Sequence, residues 1–135
     1  MKRLKVAVGV IFNQVGDVLI GQRTVKDDYF QQWEFPGGKL EANESPEQAL
    51  VRELNEELGI TALAWQPLID LRHQYPDREV QLFVYRVTEF AGIPQGKEQQ
   101  AIKWVAPEQL SQINFLSGNK KIIEAVERVT QPQSD

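Results

Sequence analysis

The sequence predicts an α/β domain: a β-sheet covered by helices on both faces. Three observations carry this. Residues 4–12 are an apolar, β-branched run of strand length. Residues 80–87 alternate, yet carry mostly apolar side chains in both phases, as a strand inside a sheet does. Between Ser45 and Gly59 lies a helix signature with both caps in place. At 135 residues the whole chain, 1–135, is expected to be one domain with enough surface to bury a core.

The elements follow in order. After the strand at 4–12, residues 13–17 read as a turn and 18–22 as the hairpin partner of that strand. Residues 24–32 are polar and predict a loop. Trp33, Glu34 and Phe35 then lead into Pro36-Gly37-Gly38, which predicts a turn. Ser45 is a good N-cap, Pro46 suits the first helical position, and Gln48 completes a capping box. Leu50, Leu54 and Leu58, with Val51 beside them, form one apolar stripe. Residues 60–71 are mostly extended, 92–96 are turn-rich, 102–105 predict a short strand, and 107–110 begin a helical turn. Residues 117–129 predict an amphipathic helix with Ile122, Ile123, Val126 and Val129 inward, and 130–135 a frayed tail.

Composition narrows the function. There are no cysteines, which removes disulfides, thiolate metal sites and cysteine nucleophiles together and fits a reducing cytoplasm. The net charge of −4 argues against a nucleic acid polymer as partner, because such a surface must neutralise phosphates. It does not argue against a small polyanion, since a bound cation reverses the local sign. The opening residues look briefly like a signal peptide, but a turn rather than a cleavage site follows the apolar run, and nothing approaches the length of a membrane span. Gly37-Gly38-Lys39 lacks the spacing and the Ser/Thr of a phosphate-binding P-loop. The only histidine, His73, is expected at the surface.

The chemistry is concentrated on the helix. At about 100° per residue, Glu53, Glu56 and Glu57 share an arc of about 100° beside the leucine stripe. Glu53 and Glu57 repel at i, i+4, and all three sit in the half of the helix where the dipole disfavours negative charge. A hard divalent cation would make sense of such a face, because Mg²⁺ takes carboxylate oxygens, waters and substrate phosphates. By itself an E-x-x-E-E cluster is an ordinary solvated helix face, with Arg52 an i, i+4 partner of Glu56. The wider spacing changes that. Gly38 is followed after five residues by Glu44, then after seven by Arg52, Glu53, Leu54, Glu56, Glu57, Gly59 and Ile60.

That pattern, residues 38–60, is the complete Nudix box, and the chain resembles the MutT branch of the Nudix hydrolases over nearly its whole length. KRLKVAVGVIF at the start, the WEFPGGKLE lead-in, YPDR at 75–78, GKE at 96–98 and Asn119 all share in the likeness. The resemblance implies a mixed sheet between helices and an enzyme that hydrolyses 8-oxo-dGTP to 8-oxo-dGMP and pyrophosphate through water attack on the β-phosphorus, sparing DNA a mutagenic precursor. It implies Mg²⁺, with Mn²⁺ as a substitute, held by Glu53, Glu56, Glu57, Glu98 and the Gly37 carbonyl. Arg52 would orient the glutamates and Glu44 support the loop–helix geometry. Arg23, Glu34, Phe35, Arg78 and Asn119 match positions near the nucleotide, and Leu4, Val6, Val8, Val80 and Leu116 would form an apolar floor. An asparagine amide offers an acceptor beside a donor, which suits O6 and N7–H of oxidised guanine. The expected partner is thus a small nucleoside triphosphate, with the chain acting as a cytoplasmic monomer.

The sequence departs from that family at Leu116-Ser117-Gly118, where a proline-containing stretch is usual, at Asp27-Asp28, and at residues 99–102. Two other readings remain open: a Nudix enzyme for another nucleoside diphosphate derivative such as ADP-ribose, and a silent oxidised-guanine binding module. The intact glutamate cluster and the acidic balance speak against the second.

Overall fold

The computed structural model describes residues 2–24, 26 and 30–130, and the features expected at Asp27-Asp28 and in most of the tail fall outside these residues. Strand β1 (Lys2–Ile11) is central. It pairs parallel with β6 (Arg78–Ala91) on one side and antiparallel with β4 (Gly37–Lys39) on the other. Antiparallel β5 (Thr61–Tyr75) closes the far edge, giving the mixed order β4-β1-β6-β5. As its two-sided apolar pattern predicts, β6 is an interior strand. The edge strand β5 carries register shifts around Ala64 and Pro67, and an edge is where a proline is tolerated.

A second, antiparallel sheet has β2 (Val18–Gln22) between β3 (Trp33–Glu34) and β7 (Ile102–Val105). This corrects the expectation that residues 18–22 form the hairpin partner of β1. Only the single bridge Phe12↔Val18 links them. Both edges of β1 are already occupied, and Phe12 N–H donates to Val87 of β6, so the chain turns out of the first sheet into the second. The predicted turn at Pro36-Gly37-Gly38 likewise resolves into a return: Gly9 N–H donates to Pro36 O, and the chain then runs back along β1 as β4.

Helix α1 (Pro46–Leu58) has the expected capping box at Ser45 and a left-handed cap at Gly59, φ 72°. Leu50, Leu54 and Leu58 are fully buried with Ala7, Ile11, Tyr85 and Val87 against one face of the first sheet. The residues of opposite parity, Val8, Val10, Val80, Leu82 and Val84, face a second core shared with α2 (Lys120–Thr130). The last helix begins as a 3₁₀ turn, Ser117–Asn119, before becoming α-helical. Ile122, Ile123 and Val126 are buried as predicted, but Val129 is exposed and Ala125 takes the inward place, since the helix ends a residue later and its last turn overhangs the core. Among the described residues no helix is long and apolar enough to cross a membrane.

Candidate active site

Two glycines bring strand β4 against the glutamate helix. A side chain on Gly37 would run into the Ala7 carbonyl and Val8 Cα, and one on Gly38 would overlap the Glu53 carboxyl group. Glycine is thus required at both for close approach, and at Gly37 also because its φ of 158° is one that side chains rarely adopt. Gly37 N–H donates to Glu57 Oε2 at 3.2 Å, so this part of the box is joined to the helix by a direct hydrogen bond.

Arg52 organises the rest. Its Nε and Nη2 donate to the two Glu44 oxygens at 2.8 and 2.9 Å, a bidentate fork, and Nη2 also reaches the Lys39 carbonyl at 3.0 Å. Its Nη1 donates to Glu53 at 2.8 Å and to Glu56 at 3.2 Å. Glu44 in turn accepts from Glu41 N–H. These bonds, Arg52 first, hold the Glu44 carboxyl down at about 2. The same partners raise the Arg52 pKa, Glu44 first, so the guanidinium stays charged. Glu44 therefore acts as the fixed anchor of the arginine, and the arginine aims the glutamates.

Glu98 arrives from the other end of the chain. The last carbonyls of a helix lack partners within it. Here they are taken by the segment before β7: Gln95 N–H donates to Leu58 O, and both Lys97 N–H and the Gln100 side-chain amide donate to Glu57 O. Gln100 also accepts from Glu98 N–H, so the loop is tied across itself. Residues 99–102, which depart from the family pattern, thus contribute to fixing the loop. Glu98 lies close enough to repel both Glu53 and Glu57.

Burial, reinforced by Glu34, Glu98 and Glu53, pushes the Glu57 carboxyl up to about 8, against the lowering effect of the Gly37 N–H. Burial also raises the Glu53 carboxyl, opposed by Arg52. Glu56 is more exposed. The helix and its loop therefore bring Glu53, Glu57 and Glu98 into mutual electrostatic reach. Among the described residues they do not close to a ready-made metal cage, because Glu53 is turned to Arg52 and Glu57 to the Gly37 N–H.

Beside this cluster opens a cleft of about 440 Å³. Its lining includes every residue expected to lie near the nucleotide: Arg23, Glu34, Phe35, Arg78 and Asn119, together with Gly37. The expected apolar floor of Leu4, Val6, Val8, Val80 and Leu116 is present, because alternate residues of β1 and β6 point the same way. Phe35 is buried and stacks on Phe115 at 5.2 Å, forming an apolar wall. Arg23 lies 3.7 Å from Glu34. The Arg78 guanidinium sits over the Tyr75 ring, 5.4 Å from its centroid. Asn119 is the one buried polar residue among those described, and its amide nitrogen donates to Leu116 O at 3.0 Å, which fixes the amide plane. Tyr75, Leu82, Lys39 and Gly118 line the cleft without having been given a role there by the sequence. Leu82 shares the alternation of β6 and was within reach of pattern reading; the place of Gly118 depends on a tertiary contact. His73, expected at the surface, is half-buried, with its Ser117 contact exposed. It lies against the Tyr75 ring and 3.2 Å from the Ser117 hydroxyl, away from the carboxylates.

Comparison with known proteins agrees with this geometry. Residues 1–126 match the NUDIX domain. The chain is 38% identical to the 8-oxo-dGTP diphosphatase of Escherichia coli, over 96% of this chain and all of that one. It is also 38% identical to the CTP pyrophosphohydrolase of the same organism, covering 93% of this chain and 92% of that one. A solved structure from a study of MutT from Aliivibrio salmonicida and Vibrio cholerae shares 37% identity, with a TM-score of 0.78 over 93% of this chain and 97% of that one. A box complete at every defined position, the matching mixed sheet and the domain match over most of the chain agree: the protein belongs to the Nudix hydrolase family.

Proposed function

We propose that the protein hydrolyses 8-oxo-dGTP to 8-oxo-dGMP and pyrophosphate, removing a mutagenic precursor from the nucleotide pool. The observation that carries this reading is one continuous cleft. An apolar floor with a buried asparagine amide at its wall runs out along Gly37 and Gly38 to the glutamate helix. A purine fits the first part and a triphosphate reaches the second.

The donor set suits a hard divalent cation. Glu57 is half-buried beside three other carboxylates, and the single charge of Arg52 is shared among Glu44, Glu53 and Glu56, so the cluster carries surplus negative charge that a cation would balance. Glu53, Glu56, Glu57, Glu98 and the Gly37 carbonyl would hold Mg²⁺, with Mn²⁺ as a substitute. When bound, the metal supplies charge neutralisation of the triphosphate and lowers the pKa of a water.

The chain's own residues position the reaction. The water oxygen joins the β-phosphorus, the bond from that phosphorus to the α–β bridging oxygen breaks, and pyrophosphate departs from the nucleoside monophosphate. One carboxylate of the cluster, Glu98 or a glutamate of the helix, takes the water's proton, and Arg52 holds Glu53 and Glu56 in place. Phosphoryl transfer of this kind depends on alignment and charge stabilisation rather than on a covalent protein intermediate. Asn119 reads O6 and N7–H of the oxidised base, Phe35 and the floor enclose the ring, and Arg23 and Arg78 contact the nucleotide. The enzyme acts as a cytoplasmic monomer on a small-molecule substrate.

The test is pyrophosphate release with Mg²⁺ from 8-oxo-dGTP, dGTP and CTP, with hydrolysis of ADP-ribose followed in parallel. A kcat/KM preference for the oxidised nucleotide of about a hundredfold or more is expected, because a site built on paired hydrogen bonds rejects the analogue lacking one. Preference for CTP, or activity on ADP-ribose alone, would overturn the base assignment.

A further inference from the structure

We propose that Tyr75 is a positioning residue for base recognition: its hydroxyl and the absent side chain of Gly118 form a matched pair that holds the turn carrying Asn119. This rests on the reading of Asn119 as the base-contacting group.

Tyr75 is the last residue of β5, and its buried hydroxyl accepts the Gly118 N–H at 3.0 Å. Gly118 is not among the glycines with positive φ, so the backbone does not demand glycine there. Space does: a Cβ would run into the Tyr75 hydroxyl, with the ring carbon Cζ at 3.2 Å and His73 Cδ2 at 3.5 Å. A second tie lies one residue earlier, where the Ser117 hydroxyl meets His73 Nε2, and the His73 ring stands edge-on to Tyr75 at 4.5 Å. The turn is held from the opposite side by Leu116 N–H donating to Trp33 O on β3.

Asn119 is bound to this turn twice, through its backbone N–H and its side-chain amide, both donating to Leu116 O. Its amide therefore goes wherever the turn goes. In the stretch where the family pattern has a proline, whose ring restricts the backbone by itself, this chain has Leu116-Ser117-Gly118. The ties to Tyr75 and His73 replace local stiffness with tertiary bonds. Removing the Tyr75 hydroxyl leaves the buried Gly118 N–H without its acceptor, which the turn relieves by shifting, and Asn119 shifts with it.

The experiment compares wild type with Tyr75→Phe, Asn119→Ala, their double variant, Gly118→Ala, and Tyr75→Phe/Gly118→Ala. The readout is the ratio of kcat/KM for 8-oxo-dGTP to that for dGTP. Tyr75→Phe should lower the ratio about fivefold, the size expected for one hydrogen bond, and should lower it no further in the Asn119→Ala background. Gly118→Ala should be more damaging than Tyr75→Phe, and adding Tyr75→Phe should restore part of its activity by clearing the space. An unchanged ratio in Tyr75→Phe, an equal further drop on top of Asn119→Ala, or a harmless Gly118→Ala would each overturn the proposal. If the wild type does not prefer the oxidised base, the functional reading falls, and the latch is then judged by NMR without substrate. Faster exchange of the Gly118 amide together with shifted Asn119 side-chain resonances in Tyr75→Phe supports it, and unchanged spectra refute it.

Discussion

Replacing Gly38 by alanine should abolish most of the activity while leaving the fold intact, whereas alanine at the neighbouring Gly37 should damage the fold. At Gly38 the new methyl would overlap the carboxyl carbon and both oxygens of Glu53. Ordinary carbon–carbon contact needs about 3.5–4.0 Å, so the carboxyl must retreat by more than about 1 Å. It is the far end of a flexible side chain, tied to Arg52 at 2.8 Å, and the stability cost should stay at about 1 kcal/mol, offset in part by the lower chain entropy of unfolded alanine relative to glycine. Misplacing a group by about 1 Å near the reacting atoms costs on the order of a hundredfold in rate. At Gly37 the obstacles are the Ala7 carbonyl and, at 2.9 Å, Val8 Cα, and the φ of 158° adds backbone strain for any side chain. Backbone of a central strand cannot retreat without parting β4 from β1, which should cost about 2 kcal/mol or more and lower Tm by about 6–10 °C. Thermal melts and pyrophosphate release on the same preparations give both numbers. Wild-type turnover in Gly38→Ala, or a wild-type melt in Gly37→Ala, would refute the close-approach reasoning.

Three further outcomes are expected. Glu53→Gln should retain a cooperative melt and lose turnover, and full activity would sink its assignment as a metal ligand. Without divalent metal, the Glu57 carboxyl is raised from an unfolded value near 4.5 to about 8 in the fold, so the native state holds the extra proton between these values. Its contribution is fully present below about pH 4.5 and is lost as pH rises through about 8. Melts in a chelator should therefore show Glu57→Gln losing less stability than wild type over that window, and a wild-type-like slope in the variant would count against the buried carboxyl. Leu54→Ala, at a fully buried position, should cost about 2–5 kcal/mol through lost burial and the cavity left behind, read as a shift in the urea midpoint at constant m-value.

What could be read from the sequence was what local rules govern. The caps and leucine stripe of α1 follow from short-range chemistry, and the spacing from Gly38 to Ile60 located the acidic helix. The floor of Leu4, Val6, Val8 and Val80 came through the family likeness, and the two-residue repeat of β1 and β6 explains why these residues share a face. The misreadings came where a distant segment decides. Residues 18–22 look like a hairpin partner until both edges of β1 are seen to be taken by β4 and β6. The place of Gly118 depends on a contact between positions 75 and 118, a separation over which no periodicity carries a signal. Glu98 was reached through the family likeness, but its tether through Gln100 to the end of α1 has no local signature.

The two-residue repeat of β1 has a consequence for how such an enzyme can change over generations. Successive side chains of this strand serve different masters: Leu4, Val6 and Val8 line the cleft, while Ala7 and Ile11 pack with the hydrolytic helix. A substitution in one phase can reshape what the cleft admits without loosening the packing beneath α1, and a substitution in the other phase does the reverse. On the proposed reading of the site, selection for a new base can thus act almost independently of selection for hydrolysis. That separability suits a family in which relatives equally close to this chain carry the names of an oxidised-purine and a cytidine triphosphate enzyme.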